Sequence, residues 1–178
     1  MTERWTEARS AAMHQAGHAV TAFKLGRPFE YVTAAPGDGT FGCVRFSYPD
    51  GFSPDTAVTE PMWAFIEDYL MICLAGFNAE DSWSQGVSDR PNDVQSRLNL
   101  RADGDRHAAV NMGGYVSPEE LESYIERLDQ RAVAFVGPGG TYSSLVRQLA
   151  DEFGSVQRLS GLDAELFLTQ AEAEVGDS

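Results

Sequence analysis

From Thr2 to Leu25 apolar and small residues recur at helical spacing, with Trp5, Ala12, Ala16, Ala19 and Phe23 on one face, until Gly26 and Pro28 stop the run. Gly26 stands where a C-cap belongs. A helix of this kind must bury its apolar face, and it carries His14 and His18 four residues apart. At about 100° per residue the two imidazoles return to nearly the same face, one turn apart. Two imidazoles so placed can grip one ion. A catalytic zinc site needs a third protein ligand and keeps its fourth position for water. The spacing alone is a weak signal, so the surrounding residues decide how it is read.

The rest of the chain reads as one mainly α-helical α+β domain spanning residues 1–178. Phe29 to Ala35 and Thr40 to Tyr48 form a β-hairpin through the turn-like Pro36-Gly37-Asp38-Gly39. Thr59-Glu60-Pro61 opens a helix that runs through an apolar core to about Trp83, and Pro91 opens another through Asp93, Val94 and Leu98. Ser117-Pro118-Glu119-Glu120 starts a helix reaching Phe135, which Gly137 to Gly140 ends. Two more helices are expected, Ser143 to about Phe153 and Ser160 to about Ala173.

Composition narrows the function classes. The 178 residues are 43 % apolar, enough for one sizeable core, so one domain is the default. A formal charge of −14, with no Lys or Arg run, argues against a nucleic-acid partner. The most apolar stretch, Trp63 to Phe77, contains Glu67 and Asp68 and is too short and polar to span a membrane. The N-terminus lacks the basic-then-apolar pattern of a secretory signal, so a cytoplasmic location is expected. Cys43 and Cys73 lie in apolar surroundings and read as buried reduced thiols.

The run Ala12-Met13-His14-Gln15-Ala16-Gly17-His18-Ala19-Val20, continued by Leu25-Gly26-Arg27-Pro28, resembles the His-Glu-Ala-Gly-His helix and following Leu-Gly-x-Pro of the membrane-anchored AAA-protease (FtsH-type) zinc peptidase domains. Further along, Phe41-Gly42 resembles that family's glycine-containing second strand. Leu74-Ala75-Gly76-Phe77-Asn78-Ala79-Glu80 resembles its buried helix, and Leu145 to Ala150 with Leu159-Ser160-Gly161 its closing helices. Asn92-Asp93-Val94 is similar to the Asn-Asp-Leu segment whose Asp is the family's third zinc ligand. The resemblance therefore implies zinc held by His14, His18 and Asp93. A carboxylate suits that position because its charge partly neutralises the dication. Asp93 read by itself also suits the positive end of a helix, and Asp89, Asp103, Asp105 and His107 are the other residues that could supply the third ligand. His107, beside Arg106, is expected to face solvent.

In the family the residue after the first histidine is a glutamate that serves as general base. Here it is Gln15, whose amide can hydrogen-bond a water but cannot accept its proton. The chain is thus expected to be a zinc metallopeptidase-like domain whose hydrolysis is disabled at Gln15, either by an engineered Glu-to-Gln change or as a natural pseudo-peptidase. The alternative is a non-catalytic, zinc-stabilised module that binds a peptide or a partner protein. A base supplied by Glu67 or Glu80 is the third option. The hairpin edge at Phe41 and Gly42 would take an extended peptide, with Phe46 and Tyr48 beside it, although the glycine equally serves strand geometry. The expected partner is a peptide or unfolded protein. ATP is not expected, because the chain has no Gly-x-x-x-x-Gly-Lys-Ser/Thr phosphate loop. The oligomeric state stays open.

Overall fold

Thr6 has extended backbone and its hydroxyl accepts a hydrogen bond from the Arg9 amide, so the first helix, α1, covers Glu7–Lys24. It begins later than the apolar spacing suggests. Trp5 lies ahead of the cap, where its backbone amide donates to Ser88 instead of to a helical turn. At the other end Arg27 N donates to Ala22 O and Gly26 N to Phe23 O, with Gly26 at φ +66°. That is a Schellman closure, which favours glycine because the left-handed conformation strains residues with a Cβ.

The computed structural model describes residues 3–35, 42–48, 50–53, 58–115 and 119–176. Strands β1 (Phe29–Thr33) and β2 (Cys43–Phe46) follow α1, then helices α2 (Glu60–Gln85), α3 (Val94–Gly113), α4 (Leu121–Val136) and α5 (Ser143–Glu152), strand β3 (Arg158–Ser160) and helix α6 (Gly161–Gly176). The mainly helical α+β class expected from the pattern is what the described residues form. The sheet has one more strand than the expected hairpin. Its order is β2-β1-β3 and both pairings are antiparallel, with Val32 opposite Val44 on one side and Leu159 on the other. At three residues, β3 is too short to show a period of two. The expected turn, Pro36 to Gly39, lies outside the described residues.

Two helix starts differ from expectation. The Pro91 segment becomes helical only at Val94, with Asp93 at the cap position, and α3 then continues through Gly104 to Gly113. In α4 the helix begins at Leu121 after Glu120, while Ser117 and Pro118 lie outside the described residues. The start of α6 agrees with its sequence signal, since Ser160 Oγ accepts from the Asp163 amide.

α1 and α2 cross at the centre. A methyl group on Gly17 would lie 2.7 Å from both Ala75 O and Ala79 Cβ, so the two backbones approach as closely as the missing side chain permits. One apolar cluster joins α1, the sheet, α5 and α6 around Val20, Val32, Leu149 and Leu168. A second joins α2, α3 and α4 around Ile66, Leu70, Ala109 and Leu128. α2 contributes to both through Ile66, Leu70, Ile72 and Trp83, each at most 1 % exposed. Burying side chains of this size stabilises by about 1.5–3 kcal/mol each, so this helix anchors the fold from which the site is built. Among the described residues no helix is long and apolar enough to cross a membrane.

Candidate metal centre

His14 and His18 are both buried on the face of α1 that meets α2, at 1 % and 5 % exposure. Their rings stand edge to face, with centroids 4.7 Å apart. Each ring has one nitrogen engaged from behind. His14 Nδ1 lies 2.9 Å from Glu80 Oε2, and His18 Nδ1 lies 2.7 Å from the Ile72 carbonyl oxygen. Both partners are acceptors, so each Nδ1 carries the proton and donates. Each Nε2 is thus the nitrogen left to face the cavity and Asp105, and a metal would bind it in the deprotonated form.

The two Nε2 atoms converge on one carboxylate oxygen. Asp105 Oδ2 lies 2.9 Å from His14 Nε2 and 3.3 Å from His18 Nε2. Ligands about 2.0–2.1 Å from a tetrahedral zinc stand roughly 3.3 Å from one another, and the three atoms here lie within 4.8 Å of one another, close enough to share one ion. Burial pushes the Asp105 carboxyl upward, but the His18 and His14 imidazoles outweigh it and hold the group well below the usual carboxylate range. It is therefore anionic at neutral pH, as a cation ligand must be. Among the described residues His14, His18 and Asp105 are the one group able to hold a metal ion.

Two neighbours fit a metal as well. A methyl group on Gly76 would stand 2.4 Å from His18 Nε2 and 2.8 Å from His14 Nε2, so only a glycine lets the α2 backbone come this close to both imidazoles. Gln15 is 5 % exposed, lines the same cavity, and its Oε1 has no hydrogen-bond partner among the described residues. An orphaned buried carbonyl oxygen beside three convergent ligands is an acceptor waiting for a ligand or water.

Asp93 is elsewhere. It sits at the exposed cap of α3 with its Oδ2 accepting from Arg97 Nε at 3.0 Å, and the carboxylate that meets both histidines is that of Asp105. The reason is helical register. The buried positions of α3 are Val94, Leu98, Ala102, Ala109 and Gly113, and Asp105 falls on that stripe between Ala102 and Ala109. A carboxylate standing where the apolar period calls for a buried residue was the signal available in the sequence. Asp89 pairs with Arg4 at the surface, and His107 is exposed as expected, its Nδ1 2.8 Å from Asp103 O, so none of these three side chains reaches the two histidines.

No family model and no curated protein matches this chain. The centre is therefore characterised by its geometry.

Glu80 is a support and not a substitute base. It has no exposed surface, and its carboxylate also accepts from Ser10 Oγ and from Arg101, whose side chain is 4 % exposed. Arg101 in turn donates to Glu7 Oε2 at 2.9 Å and Ser10 Oγ at 2.9 Å. A buried carboxylate persists only with such compensation, and the arrangement spends both Glu80 oxygens on holding the His14 ring and its own cation. Glu67 pairs with Arg131 and does not line the cavity.

The cavity in front of the three ligands measures about 470 Å³. α1 supplies its floor through His14, Gln15 and His18, while Gly42 to Val44 and Phe46 of the β2 segment form one wall. Gly42, at φ +109°, could not carry a side chain, since a Cβ would lie 2.2 Å from Thr33 O and 3.0 Å from Gln15 Cγ. β2 pairs with β1 on one side only, and its other edge has no strand beside it among the described residues. Phe41 lies outside the described residues, and Tyr48 is 53 % exposed, stacked on Phe52, away from the cavity. The two thiols differ from each other. Cys73 is buried as expected, whereas Cys43, at the start of β2, is exposed.

Proposed function

We propose that the chain is a zinc metallopeptidase-like domain of the FtsH type, with zinc held by His14, His18 and Asp105 and a peptide as its ligand. The observation that carries the reading is the convergence of His14 Nε2 and His18 Nε2 on Asp105 Oδ2, with each Nδ1 committed to an acceptor behind it. Zinc in such a site supplies Lewis acidity, polarising a peptide carbonyl and making water a competent nucleophile near neutral pH. The protein's own part is to orient both imidazoles through Glu80 and Ile72 and to offer the free β2 edge to an extended chain. Gln15 occupies the place from which a carboxylate would take the proton of the attacking water. Its amide accepts a hydrogen bond there and no proton, so binding survives and hydrolysis does not.

Gln15 also favours a second reading, a zinc-stabilised module that captures a peptide without cutting it. One pair of experiments separates the two. Elemental analysis should give one zinc per chain, lost on Asp105→Ala or His14→Ala; zinc absent from the parent protein would refute the metal site. Gln15→Glu should then raise cleavage of an unfolded protein by about 10²–10⁴ over the parent. A zinc-loaded Gln15→Glu protein that cuts nothing leaves the binding module.

A further inference from the structure

Three glycines inside helices have a packing reason: Gly17 at the α1–α2 crossing, Gly76 in front of the histidines, and Gly113, where a methyl would meet Leu121 Cδ1 at 2.7 Å. Gly104 has none. It lies in the middle of α3 next to the ligand Asp105, and a Cβ there would meet nothing within 4 Å. Glycine in a helix interior is unfavourable relative to alanine because its backbone loses more freedom on folding. The fold therefore carries a weak point that its own packing does not require.

What Gly104 faces is the metal cavity. Leu100, Gly104 and Ala108 follow one another at intervals of four along α3 and form the wall opposite β2. Leu100 is 73 % exposed, an apolar side chain standing in solvent at the mouth of the cavity. Gln15 also lines the cavity; it is only 5 % exposed and its buried Oε1 has no partner among the described residues. Among the described residues, an orphaned acceptor at Gln15, a strand edge without a partner on one wall and a wall lowered to Gly and Ala on the other describe a channel for a chain in extended conformation.

We propose that Gly104 is a specificity-determining residue: it keeps the α3 wall clear so that one extended peptide strand lies between β2 and α3, with an apolar side chain of that peptide against Leu100. This rests on the zinc-peptide reading above and adds where the peptide passes. Strand addition supplies main-chain hydrogen bonds along β2, and the opposite wall selects side chains by the room it leaves. With Gly104 and Ala108 that room is large, so the channel accepts varied side chains and prefers apolar ones.

The test uses the zinc-loaded protein and a fluorescein-labelled decapeptide of Leu, Val, Ser and Thr, free of His and Cys, followed by fluorescence anisotropy. Gly104→Leu is expected to weaken peptide binding at least tenfold with zinc content unchanged. Gly104→Ala is expected to raise the melting temperature by about 2–4 °C, because alanine adds helix propensity and meets nothing. Undiminished peptide binding by Gly104→Leu overturns the proposal, as does a parent protein that binds no peptide. A Gly104→Ala protein less stable than the parent also overturns it, since the glycine would then be structural. Equal peptide binding with and without zinc would instead sink the metal-dependent reading and leave the channel in place.

Discussion

Glu80 and His14 are joined through a 2.9 Å contact between Oε2 and Nδ1, and the carboxylate has no exposed surface. The link crosses from α2 to α1 and determines which nitrogen of His14 is turned toward the cavity. Because an ionised carboxylate only accepts, Nδ1 donates to Glu80, and Nε2 is the nitrogen that faces Asp105.

Weakening that link should weaken the metal without dissolving the fold. Glu80→Gln keeps the shape but removes the charge that compensates Arg101 and raises the basicity of His14. Zinc affinity measured by competition with a chromophoric chelator should fall about 10- to 100-fold. An unchanged affinity would show that the tautomer of His14 is held by other means.

Asp93 and Asp105 should behave oppositely. Hydrogen bonding from Arg97 holds the Asp93 carboxyl below its ordinary range, and both residues are at the surface. Asp93→Ala should leave zinc content and the thermal midpoint unchanged, since an exposed ion pair contributes little. Loss of zinc from Asp93→Ala would mean that α3 sits in a different register.

Gly76→Ala should abolish zinc binding, because its methyl would collide with both imidazoles at Nε2 and push them out of place. Gly17→Ala makes the informative comparison. Its methyl would instead force the α1 and α2 backbones apart, so it should destabilise by about 1–3 kcal/mol, read as a lower urea midpoint. A Gly76→Ala protein that still holds one zinc per chain would contradict the placement of the ion.

The two thiols should be told apart by alkylation. Exposed Cys43 should react with iodoacetamide in the native protein, and buried Cys73 only after unfolding. Burial, then the nearby Asp105 charge, pushes the Cys73 thiol up, so the folded state keeps its proton after the unfolded state has lost it. The unfolded chain then binds fewer protons, and stability should decline as pH rises above about 8.5, the ordinary thiol value. Cys73→Ala should flatten that decline in urea unfolding measured from pH 7 to 10. Equal alkylation of both thiols in the native protein would place Cys73 at the surface.

Much of the helical framework was legible because its signals are local. Gly26 closes α1 and Ser160 caps α6 through bonds that span only a few residues, and Pro61 suits the first turn of α2 through its fixed φ. The start of α3 was misplaced because Pro91 fits a first helical turn, while the chain stays irregular until Val94. β3 escaped notice because three residues have no period to read, and its partner β1 lies more than a hundred residues earlier.

At the centre itself the division follows the range of the interactions. The sequence alone determined that His14 and His18 share a face, because 3.6 residues per turn is a property of the backbone, and that the residue following His14 is an amide that cannot take a proton. Only the tertiary structure decided that Asp105, and not Asp93, completes the set, since that choice depends on how α3 is rotated against α1 and α2. Its rotation is set by burying Leu98, Ala102 and Ala109 together, a long-range packing preference that also carries Asp105 inward. The same packing brought Glu80 behind His14 and left Gly104 facing the open cavity.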